Sequence, residues 1–316
     1  PTGEVTYRAL ASDPTTTARP PSVLARHGAV AIGAIVGALL RHGQGAFFAS
    51  FVPGAFPWGT FTINVAGSIA LCAFLAALAG SVGAHPLWRP FFAVGFCGTY
   101  TTFSSFENET LSLVSHDRLD LALAYVAASI VVGLGAGLAS IRTVEGTRTL
   151  HARLATLPPL VLAPVVAAAV AAGIALGRIG GLEPGPVALG CVAVVAGGIL
   201  GALARYVVGA LAASWLGSFF PWGTFIINVT GSFMIGLYEG FASRPGGAPQ
   251  LLRLFYVTGI CGGYTTFSTL AAETLALARE GGPKRAGANV VGSVVLGFGA
   301  VVAGRAVGRM LVGGNP

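Results

Sequence analysis

Residues 57–68 read PWGTFTINVAGS and residues 221–232 read PWGTFIINVTGS, so ten of twelve positions agree at a separation of 164 residues. The same offset carries GALLRH at 37–42 onto GALARY at 201–206. It also carries GFCGTYTTFSS at 95–105 onto GICGGYTTFST at 259–269. One unbroken offset through three motifs marks a duplicated unit. Duplicated halves in a membrane protein put the functional site where the repeats meet.

Composition supplies the membrane. Hydrophobic residues make up 54% of the chain and charged residues 9%, with a mean hydropathy of +0.78, whereas a soluble domain carries about 25% charged residues. The 47 glycines among 316 residues suit helices that pack closely in lipid, where no hydrophobic force draws them together. The length is therefore taken up by spans, and no water-exposed domain is expected. The net charge of +7 reflects arginines in loops and at span ends. No basic run is interleaved with aromatics, so a nucleic-acid partner is not expected. Cys72, Cys97, Cys191 and Cys261 lie in apolar stretches without metal-ligand spacing and read as buried core. Residues 1–22 are polar, contain Pro14, Pro20 and Pro21, and read as a disordered tail. They do not resemble a signal peptide, and the lack of an initiator Met leaves the true start open.

A spanning helix takes about 20 mostly apolar residues. Spans are expected near 23–41, 58–80, 88–114 and 119–141, forming a first four-helix repeat over 23–141. A second repeat over 187–309 follows, with spans near 187–208, 222–243, 251–278 and 286–309, and then a tail at 310–316. Within the linker, 142–186, residues 158–177 read PPLVLAPVVAAAVAAGIALG, a ninth span opened by two prolines and carrying no chemistry. Four spans return a chain to its starting side, so a fifth starts the second repeat from the opposite side. The expected fold is an all-α integral membrane protein of nine transmembrane helices, two inverted four-helix repeats joined by a linker helix. On the N-terminal side the first half places Arg8, Arg19, Arg26, Arg89, Arg142, Arg148 and Arg153. The other side has Arg41 and Arg118. That bias puts the N-terminus in the cytoplasm.

The third span of each repeat carries the unusual chemistry. Glycines and consecutive Thr and Ser in GTYTTFSS and GGYTTFST weaken a helix. A break in mid-membrane exposes carbonyls that protein, water or an ion must satisfy. Two antiparallel copies would bring two carbonyl sets together, an arrangement suited to a cation such as sodium; the alternative is a small-residue helix crossing. Hydroxyls and phenylalanine edges after the break can face an anion, although a transmembrane Phe more often faces lipid or core. Asn64 and Asn228 need partners in hydrocarbon and face a bundle interior or water path, or act as glue between helices. Arg41 and Arg205 end the first span of each half. They hold the fold by capping helix carbonyls, or draw anions into a vestibule. Glu109 and Glu273 are the matched acids; Glu107 and Glu239 are unmatched. No catalytic grouping, P-loop or HExxH is present, so no enzyme is expected.

PWGTFxxNxxGS, the GxxxR ending of the first span and GxxTTFS together resemble the Fluc (CrcB-type) fluoride channels, over roughly 23–141 and 187–309. Most bacterial members are four-span chains forming antiparallel dimers with two pores. This chain resembles the fused form, in which a linker span secures the inversion. The resemblance implies pore asparagines at Asn64 and Asn228, pore rings at Phe103, Phe106 and Phe267, and a hydroxyl track at Ser104, Ser105, Ser268, Thr269, Ser129 and Ser293, with Tyr125 in the fourth span. It implies a central structural Na+ held by the backbone carbonyls of Gly98, Thr101, Gly262 and Thr265, and an acid after the rings at Glu109 and Glu273. Leu270 replaces the fourth ring and Asn289 the second tyrosine. One pore would then pair Phe267 with Phe106, and the other Phe103 with Leu270. The implied activity is passive, selective export of fluoride from the cytoplasm through the plasma membrane (the inner membrane in a bacterium), protecting against fluoride toxicity. The implied partners are the ion and lipid, with the fused halves working as a monomer. A proton-coupled fluoride or small-molecule exporter is the alternative. Small antiparallel multidrug exporters need an acid in the first span, which Val23–Leu40 lacks.

Overall fold

The computed structural model describes residues 21–52, 54–79, 84–146, 184–244 and 246–313, with side chains from 187 onward in the fourth of these stretches. The span expected at 158–177 and nearly all of the N-terminal tail lie outside the described residues. Every regular element among those described is helical. The first repeat runs α1 (Val23–Phe51), α2 (Trp58–Ala79), α3 (Arg89–Cys97), α4 (Gly98–Tyr100), α5 (Phe103–Ser115) and α6 (Leu119–Gly146). The second runs α7 (Pro184–Leu216), α8 (Trp222–Ala242), α9 (Gln250–Arg253), α10 (Leu254–Cys261), α11 (Gly262–Tyr264), α12 (Phe267–Arg279) and α13 (Pro283–Leu311). Six helices, α1, α2, α6, α7, α8 and α13, are long and apolar enough to cross a membrane unbroken.

Several helices outrun their expected ends. The first continues ten residues past 41, to Phe51, because the polar Gln44 is held on its inner face by Tyr100 and donates to the Thr62 hydroxyl at 3.1 Å. The fourth passes 141 to Gly146, where Glu145 pairs with Arg279 at 2.8 Å. At the other end the second repeat begins at Pro184 and continues to Leu311, three residues before 187 and two after 309.

The third helix of each repeat is interrupted where the Thr pairs stand. Its first part is π-helical (α3, α10), a widened form frequent at functional sites, followed by one tight turn (α4, α11). Thr101 and Thr265 then turn to extended backbone (φ −87°, ψ 157° and φ −87°, ψ 161°). Thr102 and Thr266 cap the helices that restart: each side-chain oxygen accepts at 3.2 Å from the backbone N–H three residues on, Ser105 and Thr269, the role Thr commonly plays at a helix start.

Helices α1 and α7 occupy the same place in their repeats and cross antiparallel. His27, near the start of α1, meets Tyr206 of α7 edge-on at 5.3 Å; Tyr206 stands where the first repeat has His42. Further along, a Cβ on Gly198 would lie 3.0 Å from the Ala38 methyl. Residue numbers rise on one helix as they fall on the other. Gly33 and Gly95 bring α1 onto α3: a Cβ on Gly33 would sit 2.8 Å from the Phe96 nitrogen. Gly197 and Gly259 do the same for α7 and α10, where a Cβ on Gly197 would lie 2.8 Å from the Gly259 Cα.

The repeats are not copies in their packing. Gly236 and Gly240 of α8 lie on Gly304 and Gly308 of α13, two GxxxG faces with backbone on backbone. A Cβ on Gly304 would lie 2.8 Å from the Leu237 nitrogen, and one on Gly308 2.7 Å from the Phe241 nitrogen. The matching positions of the first repeat are Cys72, Ala76, Ser140 and Val144, of which Cys72, Ala76 and Val144 pack by their side chains in one apolar cluster.

Candidate functional site

The two breaks meet at the centre of the molecule and interlock. Thr101 Oγ1 lies 3.2 Å from Thr266 Oγ1, and Thr102 Oγ1 lies 3.4 Å from Thr265 Oγ1. Ser104 Oγ approaches Thr265 Oγ1 at 3.0 Å while Ser268 Oγ approaches Thr101 Oγ1 at 3.0 Å. Thr265 Oγ1 also accepts from the N–H groups of Phe103 and Ser104 at 3.2 and 3.1 Å. Each contact has its reciprocal or near-reciprocal, the pattern of a two-fold pair. These groups are 0–2% exposed. Ser104 and Ser268 are therefore engaged across the repeat junction. Ser105 accepts at 3.1 Å from Thr102 Oγ1, and Thr269 at 3.0 Å from Thr266 Oγ1.

Asn64 and Asn228 each clamp the break of their own repeat. Asn64 Nδ2 donates to the Thr102 carbonyl and Asn64 Oδ1 accepts from the Thr102 N–H, both at 3.0 Å. Asn228 repeats both bonds with Thr266, also at 3.0 Å. An amide in hydrocarbon needs such partners, and one N–H of each Asn amide group remains beyond this pairing.

Arg41 and Arg205 turn inward, 5% and 6% exposed. Arg205 Nη1 donates to the carbonyls of Gly98 (2.6 Å) and Thr265 (3.2 Å), and Nη2 to that of Val94 (2.6 Å). Arg41 donates to the Thr258 carbonyl. Only glycine admits these guanidinium groups: a Cβ on Gly98 would fall 2.6 Å from Arg205 Cζ, and Gly262 lies against Arg41 in the same way. The Gly98 and Thr265 oxygens come from different breaks and reach one nitrogen. Carbonyls of both repeats thus converge on a point that holds positive charge, and such an oxygen set can stand in for the hydration shell of a small cation.

Two cavities related by the 164-residue offset lead inward. The one lined by Arg41, Trp58, Thr60, Thr102, Ser105 and Glu109 encloses about 830 Å³. Its counterpart, lined by Arg205, Trp222, Thr224, Thr266, Thr269 and Glu273, encloses about 370 Å³. From the larger cavity a track of rings runs to the centre. Phe56 meets Tyr125 at 5.4 Å, Tyr125 meets Phe106 at 5.3 Å, and Phe106 meets Phe267 edge-on at 5.7 Å. Phe267 rests on Gly133, where a Cβ would lie 2.9 Å from its ring. Beside the track Glu109 accepts from Thr60 and from the Tyr125 hydroxyl, each at 2.7 Å. Ser129, 1% exposed, has no hydrogen-bond partner among the described residues.

The second side keeps the Thr224–Glu273 pairing but has lost the tyrosine and one of the rings. Phe103 and Leu270 share one apolar cluster with the other rings, and Phe103 rests on Gly297. Asn289, in place of a tyrosine, donates to Thr274 at 2.9 Å. Glu273 Oε2, Asn289 Oδ1 and Ser293 Oγ have no hydrogen-bond partner among the described residues. The ring track starting at Phe56 was not foreseen. Phe56 lies in the loop before PWG, and only its contact with Tyr125 reveals it.

The family model described as CrcB-like protein, Camphor Resistance (CrcB) matches residues 28–141 and again 192–305. The "Fluoride-specific ion channel FluC" of Nitrobacter winogradskyi is 50% identical over 119 residues, 38% of this chain and 94% of that protein. "Fluoride-specific ion channel FluC 1" of Nitrobacter hamburgensis is 49% identical over 119 residues, again 38% of this chain and 94% of that protein. That of Methylobacterium radiotolerans is 48% identical over 126 residues, 39% of this chain and 87% of that protein. No solved structure matches. With the model found twice, covering both interlocked repeats, the chain belongs to the CrcB family.

Proposed function

We propose that this multi-pass membrane protein is a fluoride-selective passive channel that lets F⁻ leave the cytoplasm down its electrochemical gradient. It is not an enzyme. The observation that carries the reading is the ring track ending at Phe106 and Phe267, with the unbonded Ser129 hydroxyl on the helix beside it. Relatives about half identical over 119 residues are named fluoride-specific ion channels. Fluoride is small and strongly hydrated, so a selective path must offer close donors at several weak sites in place of water. The remaining Asn64 and Asn228 N–H groups, the Ser129 and Ser293 hydroxyls and the ring edges are such donors. The Ser104, Ser105, Ser268 and Thr269 hydroxyls hold the breaks in shape. HF enters a cell as a neutral acid and dissociates in the more alkaline cytoplasm; a negative interior then drives the anion out without ATP.

We read the chain as nine spans: the six unbroken helices, the two interrupted ones and the linker span at 158–177. The antiparallel crossing of α1 on α7 supports inverted repeats, and the arginine bias supports a cytoplasmic N-terminus. Nine spans leave the two termini on opposite faces, which tags at each end read by protease protection would test; termini on one face would discard the ninth span. The fused halves form their own pair, so the working unit is the monomer.

The carbonyls of Gly98, Thr101, Gly262 and Thr265 are our candidates for holding a structural Na+, which would supply fixed positive charge near the route. Arg205 competes for two of the four. Purification and assay with sodium replaced by N-methyl-D-glucamine should slow flux; unchanged flux would give the central charge to Arg205.

Fluoride efflux from liposomes holding the purified chain tests the function. Potassium fluoride is loaded inside, valinomycin is the trigger, and chloride-loaded vesicles are the control. Release that needs valinomycin and spares chloride is expected; release only under an imposed proton gradient would turn the reading to a coupled exporter. Phe106→Ile is expected to abolish efflux while Phe103→Ile retains most of it, because the Phe106–Phe267 route is the conducting one. The reverse result would exchange the routes.

A further inference from the structure

We infer that the end of α13, with the end of α5 beside it, is a binding site for an anionic phospholipid whose phosphate is held by Arg305 and Arg309. The relation between the repeats exposes the site. At one end of the repeat junction Arg279, the last residue of α12, meets Glu145 of α6 at 2.8 Å, and a second bond at 3.3 Å makes the pair bidentate. At the other end the matching residues are Ser115, the last of α5, and Arg309 of α13. No carboxylate stands there, and Arg305 occupies the place of Ile141. Arg305 Nη1 reaches Ser115 Oγ at a long 3.5 Å, and its Nε is buried without a hydrogen-bond partner among the described residues. Arg244, just beyond α8, adds a third positive charge. It lies over the Phe241 ring at 4.2 Å, and Phe241 sits on the α8–α13 seam beside Gly308. Among the described residues none of the three arginines forms an ion pair. Asp120 and Glu239, on the elements at this end, pair with Arg118 and Arg253, and Asp117 pairs with none of the three.

A span-end arginine that only snorkels turns its head to water. Arg305 instead buries part of its guanidinium group at the joint between the repeats, where a donor left unpartnered is costly. Nor does the positive-inside rule call for these charges, because they lie with Ser115 on the face that the arginine bias makes extracytoplasmic. The surroundings decide between a lipid and a free anion. Val302 lies three and seven residues before the two arginines, on the same stripe of α13, and is exposed, as are Met310 and Leu311 beside them. An apolar stripe leading up to two guanidinium forks suits acyl chains below and phosphate oxygens above; a free phosphate ion would use only the forks. The lipid supplies at this end of the junction the negative charge that Glu145 supplies at the other.

Thermal unfolding of the full chain in detergent tests the site, with phosphatidylglycerol, phosphatidylcholine or inorganic phosphate titrated in. Phosphatidylglycerol is expected to raise the melting temperature at about one tenth or less of the phosphatidylcholine concentration, because each arginine near the headgroup adds to the attraction for an anionic lipid. Arg305→Gln with Arg309→Gln should bring the two lipids level, while Arg118→Gln on the same face keeps the preference. Ser115→Glu does not depend on that double variant folding, since it builds a carboxylate into the site as Glu145 does at the other end. It is expected to raise the melting temperature in the absence of lipid and to abolish the preference for phosphatidylglycerol. Equal action of the two lipids on the wild-type chain, or a preference that survives Ser115→Glu, overturns the inference. A rise with inorganic phosphate as large as that with phosphatidylglycerol would also sink it, by giving the arginines to a free anion.

Discussion

Gly304→Val is expected to leave almost no folded protein. The α8–α13 seam brings backbone against backbone, and a Cβ at this position would overlap the Phe233 carbonyl and stand 2.8 Å from the Leu237 nitrogen. No side chain can rotate away to relieve that contact, so the helices must part along the seam. Overpacking of a tight core costs about 1–3 kcal/mol and more where backbone must move; this site belongs at the upper end. In lipid, such packing is itself the main force between helices. The yield of monodisperse protein in detergent and its melting temperature measure the effect. Ser140→Val, at the equivalent place in the first repeat, is the contrast and should be tolerated much better. Equal losses would mean that the two seams are packed alike.

Arg205→Ala should be the most damaging loss of a single polar side chain. It leaves the Gly98, Thr265 and Val94 carbonyls without the donor they share. An unsatisfied buried carbonyl costs about 1–3 kcal/mol, so roughly 3 kcal/mol or more is at stake across the three. Arg205→Lys should recover little, because an ammonium lacks the planar fork that reaches all three carbonyls at once. The measurement is thermal unfolding of the purified protein, followed by efflux at a temperature where the variant stays folded. A variant as stable as the parent would mean that the guanidinium does not join the two breaks.

Much of this architecture could be read in the chain before any coordinates. Duplication is a matter of spelling, and PWGTF, GALxR and TTFS recur at one spacing. The break follows from elementary propensity: Gly, Thr and Ser in succession cannot sustain a helix in hydrocarbon, and Thr101 and Thr265 do turn to extended backbone. What escaped notice depends on partners. Composition says that Asn64 must bond something, but only the fold supplies the Thr102 peptide group. The span-end arginines do cap backbone carbonyls, as their place in the chain suggests, but the reach of Arg205 across to the first break depends on Gly98 leaving room for it. Ser104 and Ser268 look like a continuing hydroxyl row, yet helix rotation after the break points them at the opposite repeat. The GxxxG pairs at Gly236 and Gly304 were in plain view. A search for what the halves share passes over them, because the first repeat has Cys72 and Ser140 there.

The interlocked threonines also set a timetable for biogenesis. The partner of Thr101 Oγ1 at Thr266 lies 165 residues downstream, so the first break stays incomplete until nearly the whole chain has left the ribosome. At synthesis rates of about 5–20 residues per second, the first four helices wait on the order of ten seconds in the bilayer with polar backbone unpaired. Contacts this distant in sequence also form slowly once they can form. A half-made molecule is therefore a natural target for membrane quality control.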